Sequence, residues 1–285
     1  MKEESIPLEQ KAMLCHVVIH FYSFFKYDHD ASDAAADTMK ADKDSGRYNK
    51  SLIERQGIRY LRKISTSIRR YHRSNTLPWG EQDARILPSQ HYMEYMKGLR
   101  TLIAEYDKNV EAFCKSLPAL YTKAKSRLGK MYKPDEYPDI ADVRKRYYAE
   151  VQISPVPVAN DFRVVKLDKK ELETIKKNIE EEKSKAAEEA LKHLWERLQT
   201  PIKKMVEKLS DKDGEFRDSL VNNITSIVEL IPKLNFGDAK LNEFANDVKK
   251  KLCVVDPQEL RKDEKVRKDT AKKAKEILDK ISAYC

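Results

Sequence analysis

Apolar residues recur with helical spacing over most of this chain. Within 92–128, Leu99, Ile103, Tyr106, Val110, Phe113, Leu117, Leu120 and Ala124 alternate steps of four and three, the rhythm that holds an apolar seam against a partner helix. The spacing predicts one long helix that stops at Gly129 and kinks at Pro118, whose ring removes a backbone donor. A second long helix is predicted over 168–209, with Leu172, Ile175, Ile179, Ala187, Leu191, Leu194, Leu198, Met205 and Leu209 as its apolar side. Asp168 and Glu171 form a capping box at its start. The two helices are expected to fold back on one another as an antiparallel hairpin. Shorter stripes follow over 216–231 and 241–252, separated from the hairpin by a break at Asp213-Gly214. A last helix opens at Asp256-Pro257-Gln258-Glu259 and carries so little apolar surface that it is expected to be peripheral.

Strand signals are few. Residues 15–25 are rich in β-branched and aromatic side chains and predict a buried strand. Val151–Ile153 and residues 162–165 add two more, with Pro155 and Pro157 at an edge. Residues 27–49 lack apolar periodicity and read as a mobile loop with room for one short helix. The fold class is α+β and predominantly helical: a long antiparallel helical hairpin, a small β-sheet and C-terminal helices. Three successive segments are expected, with strand, loop and a basic helix in 1–90, the hairpin and a sheet at 149–167 in 91–212, and the C-terminal helices in 213–285.

Composition agrees with long solvated helices: 40% of residues are hydrophobic, 36% are charged, and only seven are glycine. The longest apolar run, around 16–25, falls short of the ~20 residues that cross a bilayer, so no membrane association is expected. The first nine residues carry three acidic side chains and one lysine, unlike the head of a secretion signal. The expected location is the cytoplasm. Cys15, Cys114, Cys253 and Cys285 are scattered without a C-x-x-C pair and read as reduced thiols.

Charge changes the picture at one place. Seven basic and no acidic side chains lie between Arg55 and Arg73, against a formal net charge of +9 for the whole chain. At about 100° per residue, Arg55, Arg59, Arg62, Arg69 and Arg73 share one stripe of a helix, opposite Ile58, Leu61, Ile64, Ile68 and Tyr71. Arginine pairs bidentately with phosphate, so Arg55, Arg59, Arg62, Lys63, Arg69, Arg70 and Arg73 are candidate nucleic-acid contacts. Tyr60, Tyr71 and His72 are candidates for stacking on bases. Two other readings stand beside this one: internal pairing with Glu180 to Glu182 or Glu188 and Glu189, and a face that meets only water.

Catalytic chemistry finds little support. The seven glycines are isolated, whereas a P-loop or Rossmann turn clusters them so that backbone N–H groups approach phosphate. His16 and His20 with Cys15, and Asp28-His29-Asp30 nearby, read either as the polar rim of a strand or as an incomplete metal site. Glu180, Glu181 and Glu182 cannot converge on one point of a helix. No cofactor, no metal and no enzymatic activity are expected.

Several segments resemble an uncharacterised protein family of phages and mobile elements: Gly46-Arg47-Tyr48-Asn49-Lys50, Thr76-Leu77-Pro78-Trp79-Gly80, Arg85-Ile86-Leu87-Pro88, Asp161-Phe162-Arg163-Val164 and Leu194-Trp195-Glu196-Arg197-Leu198. The resemblance extends to about Lys250 and supplies no catalytic residues. It implies a bacterial host cell and a setting near a MoxR-like AAA ATPase and a von Willebrand A-like protein, or near recombination genes. Leu77, Pro78 and Trp79 match its pattern and are candidates for partner docking, the alternative being that Trp79 closes the joint between the arginine helix and the first long helix. The expected function is a non-enzymatic accessory or adaptor protein acting through protein contacts, with a AAA ATPase as one candidate partner. The alternative is a nucleic-acid-binding factor in phage recombination or replication.

Overall fold

The computed structural model describes residues 7–80, 83–162, 164, 166–211 and 216–284. In chain order its elements are α1 (Leu8–Lys11), β1 (Ala12–His20), β2 (Phe25–Tyr27), α2 (His29–Met39), β3 (Asn49–Ser51), α3 (Arg59–Ser74), β4 (Leu77–Pro78), β5 (Arg85–Pro88), α4 (Tyr92–Leu128), α5 (Ile140–Lys145), β6 (Tyr148–Pro155), α6 (Lys169–Ser210), α7 (Ser219–Leu234), α8 (Ala239–Leu252), α9 (Pro257–Lys262) and α10 (Glu264–Ile281). The chain is a predominantly helical α+β protein, as its periodicity predicts. Two compact units form, one from the described residues within 1–16, 73–95 and 153–285, the other from 17–72 and 96–152. They interleave along the chain instead of following one another as the sequence segments do.

In the first unit a short antiparallel sheet meets a helical layer. The sheet order is β4-β5-β1-β6, with Leu14 opposite Ile86 and Leu77 opposite the same Ile86. Helix α6 packs on α7 and α10, and α7 on α8. The core joins Leu77, Trp79 and Ile86 to Leu194, Trp195, Leu198 and Ile202 of α6, Ile224 and Ile231 of α7, and Ala274 and Ile277 of α10. Three expectations are corrected here. The heptad seam of α4 and the stripe of α6 fall in different units, and α6 packs on α7 and α10. The last helix is not peripheral: Ala271 and Ala274 leave room for close approach to α6, and small residues escape a count of large apolar ones. The third strand is β5, because the described residues Phe162 and Val164 form none; Arg163 and Val165 lie outside the described residues. Asp168 sits at the cap of α6, but its side chain makes no capping bond. The break at Asp213-Gly214 also lies outside the described residues.

Arg197 of α6 closes this unit against the end of the basic helix. Its guanidinium donates to the carbonyls of Arg73 at 2.6 Å, Ser74 at 2.8 Å and Thr76 at 2.8 Å. These are acceptors that the last helical turn leaves without an intrahelical donor. Burial and then the neighbouring Arg85 bring its pKa down to about 10, which still leaves it charged at neutral pH.

In the second unit α3 is the mate of α4. A Cβ at Gly57 would stand 3.0 Å from Leu120 Cδ1, and one at Gly98 would stand 2.1 Å from the Tyr71 hydroxyl, so the two segments run antiparallel. Leu61, Ile64 and Ile68 of α3 and Leu99, Tyr106, Val110, Phe113 and Leu117 of α4 are buried. Residues 27–49 hold the one short helix expected there, α2. Strands β2 and β3 pair antiparallel, Phe25 with Ser51 and Tyr27 with Asn49. Asp28 caps α2 by accepting from Ala31 N at 3.0 Å.

The anchor of this hairpin is Lys50, whose side chain is fully buried. Its ammonium lies 2.8 Å from Asp28 Oδ2, 2.8 Å from Glu136 Oε2 and 2.7 Å from the Met131 carbonyl. Burial alone would lower its pKa, but the two carboxylates outweigh burial and raise it. Asp28 is held below its ordinary 3.8 by its hydrogen bond to Lys50 first and the Ala31 N–H next. The Asp28 contribution is therefore fully present above pH 3.8 and is lost as pH falls through the lower folded-state value. Replacing Lys50 by Met leaves two buried carboxylates without their cation. We expect Lys50→Met to cost about 3–5 kcal/mol, read as a lower urea midpoint at neutral pH, with the loss shrinking in acid as Asp28 protonates.

Candidate nucleic-acid interface

The arginine stripe is present on α3 and on the 3₁₀ turn Arg55–Ile58 that precedes it. The seven predicted cations, Arg55, Arg59, Arg62, Lys63, Arg69, Arg70 and Arg73, are all exposed, while Ile58, Leu61, Ile64 and Ile68 are buried on the other side. Arg73 belongs to the first unit and the other six to the second. Among the described residues, no carboxylate lies within ion-pair distance of Arg55, Arg59, Arg62, Lys63, Arg69 or Arg73. Three of the five acidic residues offered as internal mates are held elsewhere: Glu180 by Lys183 at 2.7 Å, Glu181 by Lys177 at 3.3 Å, and Glu189 by Lys185 at 4.0 Å.

The stacking residues are not those the helix itself supplies. Tyr60 is exposed, but Tyr71 lies against Gly98 and His72 is buried. Aromatic rings come instead from residues 21–25, which connect β1 to β2 beside α3. Arg69 lies over the Phe21 ring at 5.8 Å, and Arg55 over the Phe25 ring at 5.7 Å. Between them opens a cleft of about 390 Å³ lined by Phe21, Tyr22, Phe25, Arg62, Arg69 and Tyr147 with a few apolar and hydroxyl neighbours. No acidic residue is among those that line it.

The connection holds its shape without strand pairing. Tyr106 Oη donates to the His20 carbonyl at 3.2 Å, Tyr147 Oη to the Tyr22 carbonyl at 3.3 Å, and Leu52 N to the Phe24 carbonyl at 2.8 Å. Burial, above all, pushes both phenols up, so they remain proton donors at neutral pH. Edge-on contacts of Phe21 with Tyr106 and Tyr147 fix the ring's tilt. The run Phe21-Tyr22-Ser23-Phe24-Phe25 is visible in the sequence, but β-branched neighbours make it read as buried strand; only its position beside the arginines shows another use.

Other candidates separate from this site. Leu77 is fully buried and Trp79 is 3% exposed, both in the core with α6, while Pro78 between them is half-buried. The ring of His20 stacks on Tyr148 at 5.4 Å and its Nδ1 meets the Arg146 carbonyl at 2.6 Å. Among the described residues no three His, Cys, Asp or Glu side chains converge as metal ligands would. Burial raises the Cys15 thiol to about 12. Among the described residues no helix is long and apolar enough to cross a membrane.

The arginine face is aimed by the fit of α3 on α4, and Gly98 is the tightest point of that fit. A methyl group there meets the Tyr71 hydroxyl far inside contact distance. We expect Gly98→Ala to cost about 1–3 kcal/mol through overpacking, measured as a lowered denaturation midpoint, and Tyr71→Phe in the same background to recover part of it.

No family model, no curated protein and no solved structure matches this chain.

Proposed function

We propose that this protein binds nucleic acid through the exposed cations of α3. The observation that carries the reading is the exposed face of α3 that holds Arg59, Arg62, Lys63 and Arg69, with no carboxylate within ion-pair distance of these four among the described residues. Like charges three and four residues apart destabilise a helix, and a polyanion laid along the face relieves that repulsion. Arginine supplies fork-shaped donors that match phosphate oxygens. In the same unit Arg146 lies 5.5 Å over the ring of Tyr22, a cleft residue, while Arg144 and Lys145 are paired with Glu111 and Asp142. Of the three residues named for the adaptor reading, Leu77 and Trp79 are core residues. The setting among phage or mobile-element genes remains compatible with a nucleic-acid factor and adds no residue to the site.

Binding of this kind releases counterions and weakens steeply with salt, with a log–log slope of about −0.9 for each phosphate contacted on duplex DNA. We expect the triple variant Arg62→Glu, Lys63→Glu, Arg69→Glu to keep the parent melting curve and to lose retention on labelled DNA at moderate salt. Single Arg→Ala changes on this face are expected to flatten the slope by about one each. Undiminished retention by the folded triple variant, or competition by poly-glutamate as strong as by DNA, would overturn the proposal.

A further inference from the structure

We infer that the cleft between Phe21 and Phe25 seats an unstacked base, so that the protein prefers single strands to duplex. The inference rests on the reading of α3 as a phosphate-binding face. Inside a duplex the flat faces of bases are covered by their neighbours, and only edges and phosphates remain for a protein to touch. A single strand can splay a base onto an aromatic ring. The cleft has the parts for this: the aromatic residues Phe21, Tyr22 and Phe25 line it together with the cations Arg62 and Arg69. Its volume of about 390 Å³ lies at the small end of ligand sites and suits one planar group with its sugar.

The charges are arranged to match. Arg62 and Arg69 both line the cleft and stand seven residues apart on α3, two helical turns or about 10 Å. Phosphates on either side of a seated base therefore meet a guanidinium each. Arg69 already covers the Phe21 ring. Arg62 has neither a ring nor a carboxylate partner among the described residues, and so is left to the ligand. The cleft is rigid before binding, because the hydrogen bonds of Tyr106, Tyr147 and Leu52 fix the backbone that carries the rings. Little ordering is needed on binding, which favours affinity.

The experiment compares three labelled probes at one salt concentration: oligo(dT), a strand of the same length made of abasic sites, and a duplex. The protein is tested as the full chain, as Phe21→Leu, which keeps apolar bulk without a ring, and as Phe25→Ala. The expected result is that the parent binds oligo(dT) more tightly than the abasic strand. Each ring variant should lose roughly 5- to 150-fold on oligo(dT), the range that removal of one stacking ring produces, with abasic and duplex binding unchanged. Equal affinity for oligo(dT) and the abasic strand, or no loss in either folded ring variant, overturns the base-seating cleft while salt-dependent binding of the abasic strand leaves the arginine face standing. Binding of none of the three probes overturns both.

Discussion

Repulsion among the cations of α3 is the constraint around which the second unit is organised. Side chains at i, i+3, i+4 and i+7 on one helix face oppose one another, and a free helix of this composition would fray. Here the opposite face is locked: Ile58, Leu61, Ile64 and Ile68 are buried, and Gly57 and Gly98 let the helix and its preceding turn approach α4 closely. Apolar burial, at roughly 25 cal/mol per Å², holds the cations together where their charges alone would not. Two of them gain a second stabilisation from the π-faces of Phe21 and Phe25. The same contacts place the rings beside the charges, so the device that steadies the helix also builds the cleft.

A buried lysine and a half-buried arginine show how differently a positive charge can be held in this protein. Lys50 is neutralised by two carboxylates and a carbonyl. Arg197 is satisfied by carbonyl oxygens alone, at the end of the basic helix. The first arrangement is a charge cluster whose members stand or fall together; the second is a cap that exploits the partial negative charge at a helix C-terminus. Neither belongs to the candidate site, yet both fix segments adjoining it. Lys50 sets the β2–β3 hairpin that carries Phe25, and Arg197 sets where α3 ends.

What the sequence discloses follows from how local each signal is. The amphipathic α3 and the seam of α4 repeat a short-range pattern, and the structure has both helices. Helix α2 has no such pattern: it forms because Asp28 caps it and because alanine favours helix, while Lys50, buried against that cap, is far along the chain and would ordinarily be assigned to the surface. The mate of each long helix was also beyond reach. A heptad seam states that a partner exists and not which one, and Ala271 and Ala274 of α10 give little hydrophobic signal. At the candidate site the charges were legible, since seven basic residues without an acidic one stand out in any reading. The aromatic half was not, because a ring that lines a cleft and a ring that fills a core look alike in one dimension.

The interleaving of the two units bears on how the chain is made. Every residue assigned to the unit that carries Arg55 to Arg70 lies between positions 17 and 152, so its parts are all available once residue 152 has left the ribosome. The other unit has to wait: Lys11 donates to the Phe236 carbonyl 225 residues downstream. During that interval strand β1 lacks the helices that will cover Ala12 and Leu14, leaving nascent apolar surface of the sort that chaperones shield.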